Sequence, residues 1–408
     1  MIQGKYTINS RQRILNAMNH LPVDHTPLYM RFWPSHQQID TLPFNWRNQF
    51  SRARYMVAHG LDDILLIQPP MGYIEDYDAS AMAGMESSVH VRQETDDHCV
   101  IEKRYQTPAG ELQHTVRLGR EDWIYGNDIY LFSDYNVPRA TKHIINGRED
   151  IKKLKYLLKK PNQSRINRFR LEAATVREEA QKLGVAVEGG WCALGDAAVT
   201  LCGMERVLEA QMEDPEFLEE LLDTLLEWEL MRADLLLDAG IDILTQMAWY
   251  EGVDFWTPGN YRSILAPRIR QLVDAAHSRG AKYRYILTKG VKPLMEDIIS
   301  LGIDCITGID PVQDNVDLAE IKSKHGGKIC MMGGINSAVM LTQHSDEQIC
   351  AAVSEALRIM SPGSGFILFP VDAIFNDLSW EKICVVAQQW RECEGITSTD
   401  QSNLRYSI

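Results

Sequence analysis

Eight short apolar runs are spaced along the chain, and helix-like stretches follow most of them. The runs end in polar residues and lack apolar–polar alternation, which is typical of strands buried on both faces of a parallel sheet. Eight such strand–helix units predict an α/β fold, the (β/α)8 TIM barrel. The predicted strands are residues 27–32, 63–69, 185–191, 242–249, 283–289, 305–310, 328–333 and 366–372.

The strand–helix rhythm breaks between residues 71 and 162. Within this stretch, residues 89–94, 99–105 and 112–118 alternate or carry β-branched side chains, which predicts an antiparallel meander inserted after the second strand. We expect the insertion either to lie over the barrel mouth, as a lid or partner surface, or to be a decoration without function. No linker divides the chain, so residues 1–408 are expected to form one domain.

The overall charge limits the classes of partner. The 408-residue chain carries a formal net charge of −14. An acidic surface gains nothing from a phosphate backbone or an anionic membrane, so neither nucleic acid nor membrane is expected as a partner. A small-molecule substrate, including an anionic one in a locally basic pocket, fits this composition.

The eight cysteines are scattered without a CxxC motif, and several fall inside the apolar runs. This usage predicts buried, reduced thiols in a cytosolic protein. The sequence opens without a secretory apolar segment and contains no apolar run near 18 residues. We therefore expect a cytoplasmic protein.

In a (β/α)8 barrel the chemistry lies at the C-terminal ends of the strands. The polar and aromatic residues at these ends are Arg31, Gln68, Trp191, Trp249, Lys289, Asp310, Asn336 and Asp372. Trp191 and Trp249, with Trp33 and Tyr250, form either aromatic walls for a flat or methoxylated ligand or ordinary core packing. His36, just past the first strand, is a candidate acid–base group.

Two further loops carry candidate residues. Asp310, followed by Gln313, is either a base or substrate hydrogen-bond acceptor or the cap of its own loop. Asn336 follows a glycine pair, where barrels often bind phosphate or carboxylate groups, although a plain tight turn explains the glycines as well.

Five segments carry a resemblance to a known family: SRQRILNAMNHLPVDHTPLYM, GLDDILLIQPPMG, CGMERVLEAQMEDPEFLEELL, TPGNYRSILAPRIRQLVDAAHSRG and DPVQDNVDLAEIKSKHGGKICMMGGI. They resemble the uroporphyrinogen decarboxylase-like (URO-D) superfamily over nearly the whole chain outside residues 71–162. The resemblance implies one of two activities. One is cofactor-free decarboxylation of uroporphyrinogen. The other is methyl transfer between a corrinoid protein and a small molecule, with zinc activating a thiol.

The decarboxylase residues are matched in part. The resemblance places Arg31, in MRFWPSHQQ, on the first arginine of the decarboxylase loop MRQAGR, whose second arginine is missing here. It places Asp63 on the essential aspartate and Asp372 on the position of a histidine. A substrate with eight carboxylates needs several cationic partners, which argues against uroporphyrinogen as the substrate.

The zinc ligands of the methyltransferases are absent. Their His-x-Cys-Gly motif corresponds to Leu287, Thr288, Lys289 and Gly290, and their second cysteine corresponds to Asp372. Leucine cannot bind zinc, and lysine is a poor ligand at neutral pH. We therefore expect no metal, and we expect Lys289, held by Asp372, to replace its charge. The alternatives are a structural salt bridge, a Schiff-base lysine, or a metal site rebuilt around Asp310, Glu188 or Cys192.

These observations predict an enzyme that moves a methyl group between a small, possibly methoxylated aromatic substrate and a corrinoid protein. Its catalytic residues would be Lys289, Asp372 and Asp310. The sequence has no DxHxxG-type cobalamin motif, so the methylcobamide would be carried by a separate partner, and no cofactor would be bound directly. A decarboxylase using Arg31 and Asp63, and a non-catalytic tetrapyrrole- or corrinoid-binding protein, are the alternatives. The resemblance implies a homodimer.

Overall fold

The architecture comes from a computed structural model, which describes residues 8–32, 46, 48–69, 85–119, 128–375 and 378–396. Trp33 and His36, two of the predicted site residues, lie outside the described residues.

A curled seven-stranded parallel sheet forms the centre of the molecule, as the apolar runs predict. Its strands follow one another in chain order, in the order β1-β6-β7-β8-β9-β10-β11. Their bounds are β1 Ile64–Ile67, β6 Ala186–Cys192, β7 Ile243–Met247, β8 Lys282–Ile286, β9 Cys305–Ile309, β10 Cys330–Asn336 and β11 Phe366–Val371. Because all seven are parallel, their C-terminal ends meet at one edge of the sheet, where the candidate site is expected.

The first predicted strand, residues 27–32, forms isolated bridges instead of a continuous ladder. Leu28 bridges to Leu368 of β11, and Tyr29 bridges to Asp62 just before β1, both in parallel. Pro27 has no N–H to donate, and its carbonyl accepts a hydrogen bond from Leu368 N at 2.9 Å. This segment therefore lies between the two edge strands of the sheet, and seven of the eight predicted strands belong to the sheet itself.

Helices alternate with the strands. Those that belong to the strand–helix rhythm or extend it are α1 Ser10–Met18, α2 Gln49–Ala58, α4 Gln163–Leu183, α5 Leu194–Cys202, α6 Met204–Glu213, α7 Pro215–Asp238, α8 Pro258–Asn260, α9 Ala266–Ser278, α10 Met295–Ser300, α11 Leu318–His325, α12 Asp346–Met360 and α13 Trp380–Cys393. α3 Arg148–Leu157 lies before α4, at the end of the insertion. Asn9 caps α1 through a capping box with Gln12, and Ser10 is the first helical residue.

The meander predicted within residues 71–162 is confirmed as a four-stranded antiparallel sheet, β2-β3-β4-β5. Its strands are β2 Glu86–Thr95, β3 His98–Thr107, β4 Gly110–Gly119 and β5 Ala140–Lys142. Beyond this sheet the insertion packs on helix α7, where the ring of Phe132 stacks on Trp228 at 4.4 Å between centroids. A lid position over the barrel mouth stays a prediction.

Apolar side chains fill part of the barrel interior. One cluster includes Ile64, Ala186, Ile243, Cys305 and Ile367, each at most 1% exposed. Among the described residues, no helix is both long and apolar enough to cross a membrane.

All eight cysteines are free thiols, as predicted. Six of them are buried, whereas Cys350 is partly buried and Cys393 is exposed.

Candidate functional site

A small cavity lies at the C-terminal end of the sheet and brings together three of the predicted site residues. Its volume is about 50 Å³, which is room for a few water molecules or one small polar group. Arg31, Gln68 and Trp191 were predicted from their positions at strand ends, and all three line it. The complete lining is Tyr29, Arg31, Phe32, Arg52, Ile64, Leu66, Gln68, Pro69, Glu188, Gly190, Trp191 and Arg232.

Arg31 is the central cation of this cavity. Its backbone is fixed by a hydrogen bond from Ile374 N to the Arg31 carbonyl at 2.7 Å. Its guanidinium lies over the ring of Trp191, 4.6 Å from the centroid, and Trp249 packs edge-on against that ring at 6.1 Å. Nη2 is 3.8 Å from Asp372, whereas Nε and Nη1 are buried and have no hydrogen-bond partner among the described residues. Arg31 is therefore stacked, buried and only loosely paired.

Asp372 faces Arg31 from the end of β11. Burial raises the pKa of its carboxyl group, the positive charges of Arg31 and Arg284 lower it, and the charge of Asp310 raises it further. Oδ1 is buried without a hydrogen-bond partner among the described residues. Together these effects raise the pKa of the Asp372 carboxyl group above its usual range. Its neighbour Arg31 has free N–H donors.

The predicted ion pair between Lys289 and Asp372 is wrong. Lys289 Nζ pairs with Asp254 at 3.0 Å, and its side chain is 58% exposed. After β8 ends, Asp314 accepts hydrogen bonds from Gly290 N at 2.8 Å and Val291 N at 3.3 Å, which fixes the turn that carries Lys289. The lysine therefore pairs near the surface with the loop after β7, and the nearest recorded cation to Asp372 is Arg31.

The candidates Asp310, Gln313 and Asn336 lie together at the ends of β9 and β10 and bond chiefly to one another. Asp310 accepts from Val312 N at 2.7 Å and from Asn336 Nδ2 at 2.7 Å. Asn336 Nδ2 also donates to Gln313 Oε1 at 2.9 Å. Since both carboxylate oxygens of Asp310 are already engaged, the loop-cap interpretation describes this group better than a free base does.

Asp63, predicted to contact substrate, does not line the cavity. It precedes β1, is 1% exposed, and accepts from Arg52 Nε at 3.0 Å and from Arg52 Nη2 at 3.1 Å. This internal ion pair explains why Arg52 lines the cavity without having a free charge to offer. The prediction for Asp63 is therefore corrected: it holds Arg52.

Three charged residues of the site are absent from the predicted strand ends. Glu188 lies in the middle of β6 and pairs with Arg284, in the middle of β8, at 2.9 Å. Arg232 lies within α7, 1% exposed, and Nη1 donates to Glu229 at 2.7 Å. A charge inside a predicted apolar run was the signal for Glu188 and Arg284, whereas Arg232 lies in a helix that carries other charges close by. A search limited to strand ends finds none of the three.

The aromatic residues Trp249 and Tyr250 are held from behind by two buried acids. Asp196 accepts from Trp249 N at 3.1 Å and from Tyr250 N at 2.8 Å. Glu251 accepts from Gly195 N at 2.7 Å and from the Tyr285 hydroxyl. The two acids thus tie helix α5, which follows β6, to the loop after β7: Asp196 of α5 accepts from that loop, and Glu251 of the loop accepts from Gly195 of α5. Tyr250 itself packs on Phe255 and does not line the cavity.

The buried carboxyl group of Glu251 predicts that the free energy of unfolding depends on pH. Burial raises the pKa of Glu251 from 4.5 to about 7, although its hydrogen bonds oppose the rise. Between those values the folded protein binds a proton that the unfolded chain has lost, so the free energy of unfolding falls as pH rises, by up to about 1.4 kcal/mol per pH unit. Glu251→Gln should reduce this slope in urea titrations at several pH values, and the part that comes from Glu229, whose pKa burial also raises to about 7, should remain. The exposed Glu216→Gln on α7 should keep the wild-type slope, and an unchanged slope in Glu251→Gln would contradict the assignment.

The residues at the zinc-motif positions do not fit a zinc ion. Leu287 has no donor atom and is fully buried, and Lys289 is engaged with Asp254. Among the described residues, no three His, Cys, Asp or Glu side chains come together as a ligand set, which leaves the alternative of a site rebuilt around Asp310, Glu188 or Cys192 without support.

Two solved structures resemble the chain at low sequence identity, and the first of them shares its fold. A methyltransferase from Methanosarcina mazei is 16% identical, with a TM-score of 0.56 over 94% of this chain and 99% of that chain. A B12-independent methionine synthase from Shewanella sp. W3-18-1 is 10% identical, with a TM-score of 0.47 over 91% of this chain and 94% of that chain. No curated protein sequence matches the chain.

The family model described as uroporphyrinogen decarboxylase (URO-D) matches residues 125–392, which is more than half of the 408 residues. The match confirms the resemblance carried by the sequence segments, and the chain belongs to the uroporphyrinogen decarboxylase (URO-D) family.

Proposed function

We propose that the protein transfers a methyl group between a small substrate, such as a methoxylated aromatic compound, and a corrinoid carried by a separate protein. The observation that carries this proposal is the Arg31 guanidinium, stacked on Trp191 beside Asp372 with two unpartnered donor nitrogens. Membership of the URO-D family supports an enzymatic role at this end of the barrel.

The chemistry needed at the substrate is stabilisation of a leaving oxygen. When a methyl group leaves a methoxy compound, the C–O bond breaks and the oxygen gains the electron pair. Arg31 would stabilise the negative charge that develops there, and a protonated Asp372 would supply the proton. The reduced corrinoid of the partner would be the methyl acceptor. In this proposal Arg31 takes the role that the sequence assigns to Lys289.

The partners of Asp63 argue against one alternative, decarboxylation through that residue. Both oxygens of its carboxylate accept hydrogen bonds from Arg52, so it has no free oxygen to offer a substrate. Methyl transfer on a small substrate does not require a free Asp63.

The direct test mixes the purified protein with 4-methoxybenzoate and chemically reduced cob(I)alamin, which stands in for the corrinoid partner. Formation of methylcobalamin, followed by its visible spectrum, together with 4-hydroxybenzoate, is the expected result. Release of CO2 without methylcobalamin would favour the decarboxylase. No turnover with a panel of methoxylated and methylated compounds, in either direction of transfer, would overturn the proposal.

Replacing Lys289 tests whether Lys289 or Arg31 is the catalytic cation. Because Lys289 is 58% exposed and paired with Asp254, Lys289→Ala should change the rate of methyl transfer by less than about threefold, as expected for a surface ion pair. The measurement is the initial rate of methylcobalamin formation, with Lys292→Ala as the surface control. A loss of more than a hundredfold in Lys289→Ala alone would return the role to the lysine.

A further inference from the structure

Two buried guanidinium groups line the cavity. Each has N–H donors for which the described residues provide no hydrogen-bond acceptor. Arg31 is 8% exposed and has unpartnered Nε and Nη1, and Arg232 is 1% exposed and has unpartnered Nε and Nη2. Both residues line the same small cavity, Arg31 from the segment before β1 and Arg232 from α7. Four guanidinium nitrogen atoms, two on each arginine, are therefore without a hydrogen-bond partner beside a cavity of about 50 Å³.

The other charged side chains of the cavity are already paired. Arg52 is held by both oxygens of Asp63, and Glu188 pairs with Arg284 at 2.9 Å and accepts from Thr245 at 3.1 Å. Among the described residues, the two lining cations with free donors are Arg232, which keeps a two-donor edge of Nε and Nη2, and Arg31, which keeps Nε and Nη1. The cavity is therefore locally cationic although the whole chain carries −14.

Both guanidiniums are held in fixed orientations. Arg31 lies 4.6 Å from the centroid of Trp191, and Arg232 lies 4.2 Å from the centroid of Trp228. Arg232 is further fixed by Nη1, which donates to Glu229 at 2.7 Å. The edge that remains, Nε and Nη2, presents two parallel N–H donors, which is the geometry that pairs with the two oxygens of a carboxylate.

Leaving such donors buried and unsatisfied is unfavourable, and an anion relieves the cost. We infer that the substrate carries a carboxylate group, which binds in this cavity at the free two-donor edge of Arg232, while Arg31 keeps its donors for the leaving oxygen. The volume accepts the carboxylate, and the rest of the molecule extends toward Arg31 and Gln68, the exposed residue of the lining.

This inference names the substrate class of the site to which we assign methyl transfer, and it rests on that proposed function for its biological meaning. Binding itself needs no corrinoid, so the two are tested separately. The probes are two matched pairs, 4-methoxybenzoate with 4-methoxybenzamide and acetate with acetamide. Each pair differs in charge but little in shape.

Affinities are measured by titration calorimetry for the aromatic pair and by ligand-observed NMR for the acetate pair. The expected result is at least tenfold tighter binding of the carboxylate than of its amide. Arg232→Met should lower carboxylate affinity tenfold or more and leave amide affinity within twofold, whereas Arg54→Met, an exposed control, should change neither. If Arg232→Met does not fold, Arg232→Lys keeps the charge but loses the two-donor edge, and a loss of at least threefold is expected.

Equal affinity for acid and amide, or no binding of any probe, would overturn the inference. So would carboxylate affinity within twofold of wild type in Arg232→Met, or in Arg232→Lys where the first variant is unfolded. Carboxylate preference without methyl transfer would leave the inference standing and remove the proposed function. Methyl transfer from a neutral methoxy compound, with no carboxylate preference, would support the proposed function and overturn the inference of a carboxylate substrate.

Discussion

Arg284→Met is expected to lower the free energy of unfolding by about 3–5 kcal/mol, because it leaves a buried carboxylate without its partner. Arg284 is fully buried in β8, and Nη1 lies 2.9 Å from Glu188 in β6. With the arginine removed, the hydroxyl of Thr245, 3.1 Å from Glu188, is the donor that remains. One neutral hydrogen bond does not replace the attraction of a cation to a buried carboxylate.

A double variant distinguishes loss of the pair from loss of packing. Arg284→Met combined with Glu188→Met removes both charges, and it should recover at least half of the lost stability, since an apolar pair of similar volume is often as stable as a buried ion pair. The control is Arg54→Met, whose partner Glu179 lies on the surface. It should cost about 0–1 kcal/mol. Urea unfolding monitored by circular dichroism gives all four values. A double variant no more stable than Arg284→Met would show that the charges are not the cause.

The strands were predictable because their burial is recorded directly in the sequence. Continuous apolar runs indicated all seven strands of the parallel sheet, and alternation indicated β2, β3 and β4 in the insertion. Helix α5 leaves no such signal in the sequence: each of its residues, Leu194–Cys202, is buried, so no polar face gives it a 3.6-residue period. The segment 27–32 has a strand-like pattern, but whether it forms a ladder or single bridges depends on backbone pairing that the pattern does not contain.

The site was predictable as a location but not as a set of pairings. A strand end fixes where the backbone of a residue lies, and so Arg31, Gln68 and Trp191 were placed correctly on one cavity. It does not fix the direction of a long side chain, and the turn at Gly290 leaves Lys289 paired with Asp254. Glu188 and Arg284 are charged residues of opposite sign inside two different apolar runs. A search for such pairs in the sequence would have found this buried ion pair.

Arg31→Met should lower the rate of methyl transfer by about 10²–10³-fold, the loss usually seen when one donor to a developing negative charge is removed. The reason is its position: the guanidinium lies against Trp191, 3.8 Å from Asp372, with Nε and Nη1 unpartnered among the described residues. Because the side chain is only loosely paired, its removal leaves no strongly bound anion behind. The unfolding free energy should therefore change less than in Arg284→Met.

The measurement is a single-turnover rate of methylcobalamin formation from 4-methoxybenzoate, so that a slow release step does not hide the effect. Arg31→Lys keeps the charge but loses the planar stacking on Trp191, and it should recover a minor part of the rate. Arg54→Met again serves as the matched control and should react at the wild-type rate. A rate within threefold of wild type in a folded Arg31→Met protein would exclude Arg31 as the group that stabilises the leaving oxygen. Asp372, the other polar group at that position, would then be the next residue to replace.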